Sequence, residues 1–83
     1  MAHFEPQDTY NKIVTIIVDT LKTDKSSLTP QSTFESLGAD SLDMLEIIMK
    51  FEDTFGIEIN DEKAAAIKTI QEAVDSINPM RTK

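Results

Sequence analysis

Ser41 stands in the run Leu37-Gly38-Ala39-Asp40-Ser41-Leu42-Asp43, at the head of a stretch with no Gly or Pro until Gly56. A serine at a helix start can do one of two things. It can cap the helix by accepting a hydrogen bond from a backbone N–H. It can also carry an anion, because the free N–H groups and partial positive charge of a helix start favour an attached or bound phosphate. Position alone favours the cap, and both readings stay open at this point.

Other chemistry is hard to build from these residues. A serine nucleophile needs a base within hydrogen-bond reach, and the only histidine is His3, near the N-terminus. Gly38-Ala39-Asp40-Ser41-Leu42 is not a nucleophile elbow, since the glycine after the serine is missing. There is no Gly-rich phosphate loop followed by a lysine. The Asp53–Glu58 segment fails the EF-hand order, because Phe55 and Ile57 occupy positions that need oxygen ligands. Asp40, Asp43 and Glu46 could bind a divalent cation loosely, but no metal site is assigned. Lys50, in Met49-Lys50-Phe51, lies inside a strong helical pattern. It does not stand at the hairpin turn where biotin and lipoyl carriers present their lysine. The expectation is a protein that is not an enzyme.

The chain has 83 residues, which bounds it to one small domain, 1–83, with a modest core. It has no cysteine, so disulfides and a native thiol are excluded. No basic-then-apolar leader and no membrane-spanning run is visible. The expected compartment is the cytoplasm, though a processed organelle protein would look the same.

The net charge is −7, and it is concentrated. Between Glu35 and Lys63 lie nine acids (Glu35, Asp40, Asp43, Glu46, Glu52, Asp53, Glu58, Asp61, Glu62) against two bases (Lys50, Lys63), while the remainder is neutral. Such a surface repels nucleic acid and anionic membrane and steers basic proteins toward it. A solvated acidic face is the plainer alternative.

These elements must position Ser41. Tyr10, Ile13, Val14, Ile17 and Leu21 form one helical stripe, predicting a helix over about 8–21 capped by Asp8 or Thr9. A polar loop follows over 22–40, anchored by Leu28, Phe34 and Leu37. The second helix spans about 41–55, with Asp40 as cap. Met44, Ile47, Ile48, Phe51 and Phe55 form its buried side. Leu42, Leu45 and Met49 make a second apolar strip edged by carboxylates, either a docking face or a surface partly covered by another helix. Ile57-Glu58-Ile59 reads as a connection. A short helix is expected over about 61–67, then one over 69–77 opened by a Thr69/Glu72 capping box. Residues 78–83 form a tail, frayed from Met80 onward. The fold class is all-α: a small four-helix bundle of three main helices and one short one.

The D-S-L core around Ser41 resembles the phosphopantetheine attachment motif of acyl carrier proteins. The likeness extends over nearly the whole chain, through Phe34, Glu46, Glu52-Asp53, Phe55, Glu58-Ile59 and Asp61-Glu62. It implies that a phosphopantetheinyl transferase esterifies Ser41 with 4′-phosphopantetheine from coenzyme A. The arm's thiol then carries acyl groups between fatty acid synthesis enzymes that have basic docking patches. By the same resemblance Asp40, Leu42, Asp43, Leu45, Glu46, Met49, Glu52 and Asp53 contact partners. Ile47, Ile48, Phe51, Ile59, Ala64, Ile67 and Ala73 would shelter the acyl chain, and the protein would act as a monomer. Lys50, Asn60, Lys63-Ala64-Ala65-Ala66 and the bulk of Phe51 depart from the family pattern, bearing on partner and chain-length preference. Two alternatives remain: a specialised carrier for polyketide, aminoacyl or lipid-modification chemistry, and an acidic helical adaptor that carries nothing.

Overall fold

The computed structural model describes residues 4–83; His3 lies outside the described residues. Four helices form: α1 (Pro6–Leu21), α2 (Ser41–Phe55), α3 (Asp61–Ala66) and α4 (Ile70–Ile77). Short 3₁₀ turns occur at Lys25–Ser27 and Asn78–Met80. Among the described residues there is no strand, only an isolated antiparallel bridge between Thr33 and Thr69. The all-α four-helix architecture expected from the sequence is the one observed.

Helix α1 starts earlier than expected, and Asp8 and Thr9 do not cap it. Pro6 occupies its first turn, where a fixed φ and a missing N–H cost nothing. Asp8 and Thr9 are thereby released for tertiary contacts. Ile13, Val14 and Ile17 are buried, while Tyr10 and Leu21 close the stripe at its edges. Opposite them lie Ile47, Ile48, Phe51 and Phe55 of α2, and Ile70, Ala73, Val74 and Ile77 of α4. Met44 is only half buried, at the rim of this core.

The long loop is pinned to α4. Gln71 N–H donates to the Pro30 carbonyl at 2.9 Å, Ile70 N–H to Ser32 at 3.1 Å, and Phe34 N–H to Lys68 at 3.1 Å. Leu28 and Phe34 are buried beneath it. Helix α3 buries none of its own residues; the isoleucines flanking it, Ile59 and Ile67, point into the core instead. Ile67 was expected inside that helix. It turns extended there, which drives its side chain inward.

Thr69 is the N-cap of α4 and forms with Glu72 the capping box that the sequence predicts. Its hydroxyl accepts from Glu72 N–H at 3.1 Å, and Glu72 Oε1 accepts from the N–H groups of Thr69 and Lys68 at 3.0 Å each. Those backbone donors, Thr69 first and then Lys68, hold the Glu72 carboxyl below its ordinary value of 4.5.

The expected frayed tail is instead a clasp. Arg81 is only 7% exposed. Its guanidinium donates to Thr9 Oγ1 at 2.8 Å and to Asp8 at 3.0 Å. It also lies between the rings of Phe4 and Phe55, at 4.0 and 4.9 Å from their centroids. Thr82 N–H donates to the Phe55 carbonyl at 3.0 Å, satisfying an acceptor at the end of α2. Gly56 there adopts φ 63°, and an added Cβ would overlap the Thr82 hydroxyl. Asn78 closes the arrangement, donating to the Phe4 carbonyl at 3.0 Å. The sequence signal was missed because the residues that hold Arg81 are scattered along the chain.

Two outcomes follow. Arg81→Ala removes a buried donor and both ring contacts, so it should destabilise by about 2 kcal/mol and lower Tm by roughly 10 °C, read by thermal unfolding. Glu72 binds its proton less tightly when folded than when unfolded. Its contribution is therefore complete above the unfolded value and is lost as pH falls through the lower folded value. In urea titrations from about pH 6 down to about pH 3, Glu72→Gln should flatten the acid-side loss of stability relative to the parent.

Candidate functional site

The start of α2 is built by two aspartates. Asp40 Oδ1 accepts from Asp43 N–H at 2.9 Å, and Asp43 Oδ2 accepts from Asp40 N–H at 3.2 Å, a reciprocal capping box. The loop before it is set by Ala39 N–H donating to the Phe34 carbonyl at 3.1 Å and by Gly38 at φ 86°. The N-cap is thus Asp40, and Ser41 is not needed for that role. Ser41 is exposed at the first helical position, and its hydroxyl has no hydrogen-bond partner among the described residues. The first helical bond in the ladder is Met44 N–H to the Asp40 carbonyl, at 2.9 Å. The N–H groups of Ser41 and Leu42 lie before it and remain available to an anion. A phosphate ester on Ser41 therefore has open space at this helix start and two backbone N–H groups that can donate to it.

Beside Ser41 opens a cleft of about 880 Å³. Met44, Ile48 and Met49 of α2 form one wall, and Ile59, Ala64 and Ile67 form the other, with Phe34 and Ala39 near the serine. Of the residues assigned to an acyl pocket, Ile48, Ile59, Ala64 and Ile67 line it. Ile47, Phe51 and Ala73 do not; they are fully buried in the core. Phe51 packs against Phe55 with ring centroids 6.2 Å apart, so its bulk fills the core rather than narrowing the cleft. Phe34, Ala39 and Met44 were missed as lining residues. Met44 precedes Ile48 by one helical turn, a signal that could have placed both on the same flank.

The second apolar strip of α2 stays uncovered. Leu42 is 76% exposed, and Leu45 and Met49 are each 58% exposed. Glu46 and Asp53 are exposed beside them, while Asp43 and Glu52 are partly buried. Glu52 has a second role, since its Oε2 accepts from Ile59 N–H at 2.8 Å and ties the connection before α3 to α2. Lys50 turns away from this face. Its ammonium lies 3.0 Å from Thr20 Oγ1 and 3.5 Å from the Asp19 carboxylate, both on α1. The acidic character of the strip is thereby undiluted. Asp40, Asp43 and Glu46 do not converge as metal ligands: among the described residues no three His, Asp or Glu side chains could hold an ion.

Comparison with known proteins bears on this arrangement. Residues 11–77 match the family model described as the phosphopantetheine attachment site. The chain belongs to the acyl carrier proteins. It is 47% identical over 72 residues to an acyl carrier protein of Rubrobacter xylanophilus, covering 86% of this chain and 89% of that one. It is 46% identical over 68 residues to an acyl carrier protein of Thermosynechococcus vestitus, covering 81% and 84%. The crystal structure of an acyl carrier protein from Thermotoga maritima superposes with a TM-score of 0.78 at 29% identity, covering 96% of this chain and 94% of that one. As an acyl carrier protein, the chain is a carrier rather than an enzyme, and its cofactor is phosphopantetheine. Among the described residues no helix is long and apolar enough to cross a membrane.

Proposed function

We propose that Ser41 is the residue that takes the phosphopantetheine arm. The observation that carries this reading is an exposed, unpartnered hydroxyl on a helix start whose capping is already complete through Asp40 and Asp43. When bound, the arm supplies the thiol that this cysteine-free chain lacks. The residues of the chain present the ester linkage to solvent, leave two N–H groups for the phosphate, and offer an apolar cleft beside it.

The partners we propose are a phosphopantetheinyl transferase and the fatty acid synthesis enzymes that load and unload the arm, in a cytoplasmic setting. Leu42, Leu45 and Met49 give them apolar contact area. Asp40, Asp43, Glu46, Glu52 and Asp53 give charge that steers a basic patch into register. Exposed ion pairs are weak and screened by salt, so a docked carrier can leave again after each transfer. The cleft walls at Ile48, Ile59, Ala64 and Ile67 form the proposed shelter for the acyl chain.

Incubation of the apo chain with coenzyme A, Mg²⁺ and a broad-specificity transferase should add the mass of one arm. Ser41→Ala should add none. A gain retained by Ser41→Ala would place the attachment elsewhere. For the docking face, Glu46→Lys combined with Asp53→Lys should lower kcat/KM for loading by about ten-fold at low salt, the size expected when two exposed attractions become repulsions. Helicity by circular dichroism should be unchanged. An unaltered loading rate would rule the face out.

A further inference from the structure

Among the residues lining the cleft, Lys68 is the one base; Glu35, Asp40, Glu52 and Asp61 supply the charge around it. Its backbone is held from both directions. The Lys68 N–H donates to Glu72 Oε1 at 3.0 Å, and its carbonyl accepts from Phe34 N–H at 3.1 Å. The Phe34 carbonyl in turn accepts from Ala39 N–H at 3.1 Å, two residues before Ser41. A short series of hydrogen bonds thus fixes the base of the Lys68 side chain relative to the serine, and both residues border the same cleft.

The side chain itself is exposed and uncommitted. The ion pairs among the described residues involve Lys12, Lys50 and Arg81, and none uses Lys68. The Glu72 carboxyl feels the Lys68 charge, but as the smallest of the influences on it. A phosphodiester on Ser41 adds negative charge next to Asp40 and Asp43, with Glu35 also on the cleft wall. Coulomb repulsion from these groups pushes such a phosphate outward unless a cation answers it. We infer that Lys68 is a positioning residue for the arm, its ammonium drawing the phosphodiester toward the cleft. This inference rests on attachment at Ser41 as proposed above. Lysine suits the task because a hydrated point charge on a flexible stem attracts a phosphate without locking it in a bidentate grip. The arm is then biased toward the cleft but stays free to swing out.

The test uses the loaded protein, with loading verified by intact mass, in four forms: parent, Lys68→Arg, Lys68→Gln and Lys68→Glu. The readout is ³¹P transverse relaxation of the phosphodiester, with circular dichroism as a check on the fold. An exposed ion pair favours the docked arm by about two- to five-fold, so the phosphorus line should sharpen in Lys68→Gln, sharpen further in Lys68→Glu, and return toward the parent in Lys68→Arg. The parent line should sharpen in the same way at about 1 M salt, where the screening length falls to roughly 3 Å. Equal relaxation in all four forms, or a parent line insensitive to salt, would overturn the role of Lys68 while leaving attachment intact. Failure of Ser41 to gain the arm would instead overturn the attachment reading and this inference with it.

Discussion

A chain of this size has enough apolar surface to cover one side of α2 and not the other. Ile47, Ile48, Phe51 and Phe55 take that side and join the core that residues of α1 and α4 complete. Everything functional follows from what is left over. Leu42, Leu45 and Met49 cannot be buried without a fifth element, so they remain on the surface. The carboxylates beside them keep the strip hydrated in the free protein and direct which surfaces can approach it. Because the core holds one face of α2 rigidly, the other face and the serine at its head are presented in a fixed relation.

Helix α3 follows from the same constraint. It contributes no buried residue, and only its flanking isoleucines are drawn inward. Packing between α2 and α3 is consequently incomplete, and the cleft is the space this leaves. Glu52 limits how far the two can separate, since its bond to Ile59 N–H holds the chain leaving α2 close to that helix. One carboxylate therefore serves the fold and the acidic surface together.

Two basic side chains tie the helices together away from the acidic strip. Lys50 leans across to Asp19 and Thr20, joining α2 to the last turn of α1. Arg81 does more, because it is buried and touches three separate parts of the chain: Phe4, the Asp8-Thr9 pair and Phe55. Its flat guanidinium can stack on rings while donating hydrogen bonds at its edge, which a lysine could not do equally well. The clasp lies at the Phe55 end of α2 and Ser41 at the other, so the end that carries the linkage is left unobstructed.

The sequence by itself determined whatever depends on local period and local hydrogen bonding. The stripes of α1 and α2, the Asp40 and Thr69 caps and the helix stop at Gly56 all act within a few residues, so spacing reveals them. The D-S-L motif was legible for the same reason. Tertiary structure decided matters that join distant segments. Asp8 and Thr9 read as caps until Pro6 took the first turn and Arg81 claimed their side chains. Ile47, Phe51 and Ala73 share the apolar character of Ile48, Ile59 and Ile67, and only the orientation of packed helices separates core from cleft wall. Apolar periodicity tells which side of a helix is buried. What lies against that side depends on contacts between residues far apart in the chain, and no local pattern encodes them.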